Sequence, residues 1–211
     1  MTQFQQKGFE VVKGFIPPFF SAYLRNYFTL RAQNDPSLGG DRDAPNSHCV
    51  YGDPAFEMVM AMSTEDIGNI VGKKLIPQYT YARIYKNGSV LERHSDRPEC
   101  QYSVTLCLGG EYEKPWPIWI NDYAGNVNEV PLDVGDMVVY HGTELEHWRE
   151  KFEGNMQYQL FMHYVDSEGE FKDRVFDGRA NLGLQKCFHN LFMNFMMQKN
   201  SLLHENLLLH I

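Results

Sequence analysis

A chain of 211 residues, 43% hydrophobic and 22% charged, has the proportions of one globular domain able to build its own core. Its formal charge of -8 argues against a nucleic acid as the main partner. No stretch approaches 18 apolar residues and the first eight lack the regions of a secretory signal, so no membrane span is expected and a cytoplasmic location is.

Four cysteines, Cys49, Cys100, Cys107 and Cys187, match neither a zinc knuckle nor a CxxC pair and are expected as reduced thiols. Residues 9–15 suggest an edge strand running into a turn. Pro17 and Pro18 then precede 19–31, where Phe20, Tyr23, Leu24 and Tyr27 recur at three and four residues and predict an amphipathic helix. Residues 34–54 are rich in Asp, Gly, Pro and Asn and predict a long loop. Met58, Val59, Met62 and Ile67 predict a second helix over 56–70, covering the outside of a sheet.

From residue 75 the pattern turns to short strands, expected over 79–85, 101–108, 116–120, 125–130, 137–140, 146–150 and 157–165. Turn residues such as Asn87-Gly88, Gly109-Gly110 and Gly135-Asp136 separate them. This spacing predicts a mainly β fold of jelly-roll type. Pro115 and Pro117 should confine the 116–120 strand to an edge. Farther on, Phe188, Leu191, Phe192, Phe195 and Met196 form a helical stripe in a Leu-rich tail, which either packs on the sheet or makes a homodimer contact. The expected organisation is a single domain over 1–211, with a catalytic core at 75–165 and a helical tail at 182–211.

His94-Ser95-Asp96, with His147 farther along, carries the chemistry. Two side chains a residue apart at a strand end point the same way, because direction repeats every second residue. The third ligand must come from a neighbouring strand, which predicts a metal in the mouth of a β-barrel. Two imidazoles and a carboxylate suit Fe(II), Mn(II), Co(II) or Zn(II) and leave coordination positions open. The plain reading is a solvated turn among Glu92, Arg93, Arg97 and Glu99, with His147 packed beside Trp148. His48, His141 and His163 have no acidic partner at useful spacing, although His141 and His163 could share the same cavity.

The stretch from Tyr85 through Asn87-Gly88 to His94-Ser95-Asp96, then 102–108, the Gly135-Asp136 turn, 137–140 and Glu146-His147 resemble the prolyl 4-hydroxylase-like branch of the Fe(II)/2-oxoglutarate dioxygenases. That resemblance implies a double-stranded β-helix with supporting N-terminal helices and His94, Asp96 and His147 as iron ligands. It implies 2-oxoglutarate and O2 as cosubstrates, with hydroxylation of an unactivated C–H bond and release of succinate and CO2. Tyr85 falls where that branch places a tyrosine facing the cosubstrate. One feature departs from the pattern. The cation that grounds the far carboxylate of 2-oxoglutarate is expected nine or ten residues past the distal histidine, where this chain has Met156 and Gln157. Arg149 is the favoured substitute, since it shares the strand face of His147 and its planar fork suits a carboxylate. Arg83 is in reserve, and Tyr102, Gln157 and Gln159 are candidates for neutral hydrogen bonds. A peptide or protein residue, prolyl in particular, is the favoured substrate, with a small molecule as the other. Two further readings stay open: a cupin-like metal enzyme not using 2-oxoglutarate, and a noncatalytic β-sandwich binding protein.

Overall fold

The computed structural model describes residues 2–35, 38–40 and 44–184. A short helix α1 (Gln3–Lys7), capped by Thr2 and Gln5, ends at Gly8 and leads into strand β1 (Phe9–Val12). Helix α2 (Pro18–Asn34) follows, then β2 (His48–Tyr51) and α3 (Pro54–Val71). The Asp53 carboxylate accepts from the Ala55 N–H at the start of α3, and Gly72 ends it in the left-handed region that suits glycine. Strands β3 (Leu75–Lys86), β4 (Leu91–His94), β5 (Tyr102–Glu111), β6 (Ile118–Asn121), β7 (Val127–Val130), β8 (Met137–His141), β9 (His147–Arg149) and β10 (Met156–Asp166) complete the ordered core.

The strands form two antiparallel sheets, ordered β1-β8-β5-β10-β3-β2 and β4-β9-β6-β7. This is a double-stranded β-helix, as expected. Alternation divides the large sheet cleanly. Ala82, Ile84, Val104, Leu106, Met137, Val139, Tyr158, Leu160 and Met162 face α2 and α3 and pack with Leu24, Phe28, Phe56 and Met60. Cys107, Val138 and Tyr140 face the small sheet, meeting Ile118, Ile120 and Val130.

Three expectations need correction. The 34–54 loop contains β2, whose four residues pair with Tyr81 to Ile84 of β3; so short a strand leaves no periodic trace among turn formers. The 116–120 strand is not an edge, since β6 lies between β9 and β7. Pairing begins at Ile118, so the missing N–H groups of Pro115 and Pro117 fall before the ladder. Strand β4 was not anticipated. The tail 185–211, with Cys187 and the expected dimer contact, lies outside the described residues. No helix among the described residues is long and apolar enough to cross a membrane.

After β10 the chain turns back over β3. A 3-10 turn (Val175–Gly178) holds Phe176 and Asp177 at φ 50° and 55°, a conformation that costs about 1–3 kcal/mol per residue. Side-chain anchors offset that cost. Asp177 accepts from Arg97 and Tyr51, while Arg179 is buried against Glu57 and donates to the Gln78 carbonyl at 2.9 Å. Replacing Arg179 by Met strands the Glu57 charge in the core and should cost about 3 kcal/mol in urea unfolding. Pairing it with Glu57→Leu should recover most of that loss. A single-variant loss under about 1 kcal/mol would show that water reaches the pair.

Candidate metal centre

Strand β4 pairs with β9 so that His94 stands opposite His147. Each imidazole is oriented by its own chain: His94 Nδ1 lies 2.7 Å from the Glu92 carbonyl and His147 Nδ1 3.0 Å from the Leu145 carbonyl. A carbonyl only accepts, so both Nδ1 atoms carry the proton and both Nε2 atoms present lone pairs. The two Nε2 atoms lie 3.7 and 3.6 Å from Asp96 Oδ1, and the three donor atoms fall within 4.8 Å of one another. The predicted trio thus converges.

Asp96 is tied down on both sides. Its N–H donates to the Gly142 carbonyl at 2.8 Å, and its Oδ2 accepts from Ser103 Oγ at 2.6 Å. Gly142 has to be glycine here, because a β-carbon would run into Asp96 Oδ2, Ser103 Oγ and the Cys100 carbonyl. The trio opens on a cavity of about 390 Å³ whose other walls include Tyr79, Tyr81, Arg83, Phe161 and His163.

Deeper in the barrel lies Arg149, 1% exposed, two residues along β9 from His147 and so roughly 7 Å farther along the same face. Its Nη1 donates to the Trp116 carbonyl at 2.6 Å and the guanidinium stacks on the Trp116 ring. Its Nε and Nη2 are buried with no hydrogen-bond partner among the described residues, and burial lowers its pKa. Tyr85 is fully buried alongside, its ring edge-on to Trp116 and its hydroxyl accepting from Arg83 Nη1 at 2.9 Å. Gln157 donates to Gln159 Oε1 at 3.1 Å, Gln159 donates to Thr105 at 2.7 Å, and Gln157 Oε1 is buried without a partner among the described residues. Of the residues expected around the cosubstrate, Tyr85, Arg83, Arg149, Gln157 and Gln159 all face the barrel interior. Tyr102 does not. As an even-numbered residue of β5 it faces the helix side, packing on Phe4 and His141, whereas Ser103, Thr105 and Cys107 face inward.

His163 has no acidic partner nearby in sequence, yet it lines the same cavity, as the sequence allows, and folding brings it beside Asp96 and Cys100. Residue parity along β10 marks it, since 157, 159, 161 and 163 share one face. His141 points elsewhere, with Tyr123 at 2.8 Å and stacked on Tyr102. Cys100 is a buried thiol 3.0 Å from the Tyr79 hydroxyl, and burial pushes it up.

No protein-family model matches the sequence, and no curated protein is similar to it. Solved structures are. A prolyl-4-hydroxylase of Pseudomonas putida is 16% identical with a TM-score of 0.64, over 77% of this chain and 95% of that one. A prolyl hydroxylase of Trichoplax adhaerens, solved with a hypoxia inducible factor peptide fragment, is 14% identical with a TM-score of 0.65, over 79% and 87%. HygX of Streptomyces hygroscopicus, solved with nickel, 2-oxoglutarate and hygromycin B, is 14% identical with a TM-score of 0.61, over 78% and 85%. At such identities the likeness establishes a shared fold.

Burial drives His163 down to about 4 and also lowers His141, from an ordinary 6.5. Asp96 and Asp177 oppose the fall at His163, while Arg97 and His147 add to it. Both imidazoles titrate lower in the folded chain than in the unfolded one. Their contribution to stability is therefore present above pH 6.5 and drains away as pH falls toward about 4. The metal-free protein should melt at a lower temperature at pH 5 than at pH 7, with His163→Asn flattening the difference. Equal melting temperatures for the parent protein would contradict buried neutral imidazoles.

Proposed function

We propose that this protein is an Fe(II)- and 2-oxoglutarate-dependent oxygenase that hydroxylates an unactivated C–H bond. The observation carrying the reading is Arg149. A guanidinium buried with two donors unmet, and no carboxylate against it among the described residues, costs several kcal/mol unless an anion completes it. A dicarboxylate held at the metal by one end reaches such a group with the other. Neither a cupin-like enzyme without 2-oxoglutarate nor a simple binding sandwich gives that cation a purpose.

The donor set fits the metal. His94 and His147 offer Nε2 and Asp96 offers Oδ1, borderline nitrogen and hard oxygen that leave one side open for ligands. Arg149 would accept the far carboxylate, with the Tyr85 hydroxyl and the Gln157 and Gln159 amides as neutral neighbours. Bound together, Fe(II), 2-oxoglutarate and O2 supply C–H hydroxylation with loss of CO2 and succinate. The protein's own part is to fix the ligands, keep the interior dry and hold the target bond at the cavity. Trp116, Phe152 and Phe161 pack with Tyr85 and close that interior to water.

The aromatic wall of Tyr79, Tyr81 and Phe161 suits an apolar ring such as a peptidyl proline, the substrate class this reading favours. HygX, solved with hygromycin B, keeps a small molecule as the alternative. A substrate screen following succinate release and a mass gain of one oxygen separates the two.

Anaerobic addition of Fe(II) and 2-oxoglutarate should give a weak charge-transfer band in the green. Arg149→Gln should weaken 2-oxoglutarate binding roughly a hundredfold while leaving Fe(II) affinity within a few-fold. Iron binding with no band in the parent protein would favour the cupin-like reading, and no iron binding a plain sandwich.

A further inference from the structure

Ser103 Oγ stands against Asp96 Oδ2 at 2.6 Å, His163 Nδ1 at 2.9 Å and the Cys100 carbonyl at 3.1 Å, and it also shares a hydrogen bond with the buried Tyr140 hydroxyl. A serine hydroxyl has one proton to give. Two of its neighbours only accept, and the shortest contact is to the carboxylate, so the proton goes to Asp96. Oγ must then accept from Nδ1, because a bare Nδ1 at 2.9 Å would set lone pair against lone pair. His163 is therefore the Nδ1–H tautomer, with Nε2 unprotonated.

The ring is held to that role. Tyr79 lies against it with centroids 4.6 Å apart, and Tyr79 is itself fixed by Cys100 at 3.0 Å and by Arg97 Nε at 3.3 Å. Tyr51 stacks on the far side of Tyr79 at 5.0 Å, and Arg97 grips Asp177 with two parallel bonds. His163 is thus clamped from behind by a chain of contacts reaching the 3-10 turn.

We infer that His163 is a positioning residue which, through Ser103, locks Asp96 to present a single oxygen to the metal. Oδ1 faces the two Nε2 atoms while Oδ2 is occupied by the serine. A carboxylate free to turn would bring both oxygens to the ion and take up a position that ligands need. The inference rests on His94, Asp96 and His147 being the metal ligands. Hydrogen bonds of this outer kind commonly change metal affinity ten- to a hundredfold.

The test uses Co(II) as the probe on the full chain, reading affinity by titration and coordination by the visible d–d bands. Ser103→Ala and His163→Leu should each weaken Co(II) roughly tenfold and lower the band intensity, as a fifth or sixth ligand atom joins. The double variant should be no worse than Ser103→Ala, because the two residues act through one chain. His163→Asn, whose amide N–H can stand where Nδ1–H stands, should return both affinity and spectrum to within about threefold of the parent. A merely structural histidine would not be rescued in the spectrum. Independent, additive losses would overturn the relay, as would Ser103→Ala binding within twofold of the parent with an unchanged spectrum. The serine variant removes a single oxygen and decides alone if the leucine variant does not fold. Failure of the parent protein to bind Co(II) sinks the ligand assignment itself, an outcome distinct from a failed relay.

Discussion

The pairing of β4 with β9 is the constraint on which the site depends. It sets His94 opposite His147, and local carbonyls then point both Nε2 atoms at one place. A slip of one residue would turn one imidazole to the outer face of the small sheet. The side chain next to His147 shows what that face is like: Trp148 stacks there with Trp119 and Arg93, well away from the cavity. Asp96 belongs to no strand. Its place is fixed by the Gly142 carbonyl and Ser103, both supplied by the large sheet and the turn after β8. The trio is therefore a property of the two sheets together, and neither holds it alone.

A second constraint is the polarity of the barrel interior. The large sheet's outer face is mostly apolar against α2 and α3, with Thr80 a buried exception. Its inner face carries Arg83, Ser103, Thr105, Gln157, Gln159 and His163, all buried. Most are satisfied by one another through the amide chain from Gln157 to Thr105 and the chain from His163 to Asp96. In this interior Arg149 Nε, Arg149 Nη2 and Gln157 Oε1 are buried with no hydrogen-bond partner among the described residues. Native cores rarely leave buried polar atoms unpaired, so each of these calls for a physical reason.

Much of this was legible in the sequence because side-chain direction in a strand follows residue number. Parity put Arg149 on the face of His147 and Arg83 on that of Tyr85. Applied to β5 it would have excluded Tyr102 and chosen Ser103, and applied to β10 it would have chosen His163. His163 drew little weight because a search for acidic partners at short spacing cannot see a contact across 67 residues, and Ser103 because parity was not applied along β5. The candidate metal trio was recoverable because two of its members lie one residue apart in sequence. Strands β2 and β4, four residues each, left too little periodicity beside turn formers and charges. The prolines before β6 misled because their cost falls on paired positions, and these are not paired.

The departure at residue 157 follows from the same geometry. Gln157 and Arg149 both lie near Cys107 in the barrel interior, so a cation on β10 and one on β9 address the same region. Placing the guanidinium on β9 changes what anchors it: Arg149 leans on Trp116, whose indole N–H donates to the Glu150 carbonyl beside it. Strand β9 then carries both an imidazole of the candidate metal trio and the buried Arg149 guanidinium, on three residues held between β4 and β6. Any displacement of that short strand moves the two together and preserves the distance between them. A cation on β10 would sit on a different sheet from the distal histidine, and that distance would vary with the opening of the two sheets. Here the span from metal site to cation is set by covalent geometry, and only the approach of Asp96 depends on how the sheets close.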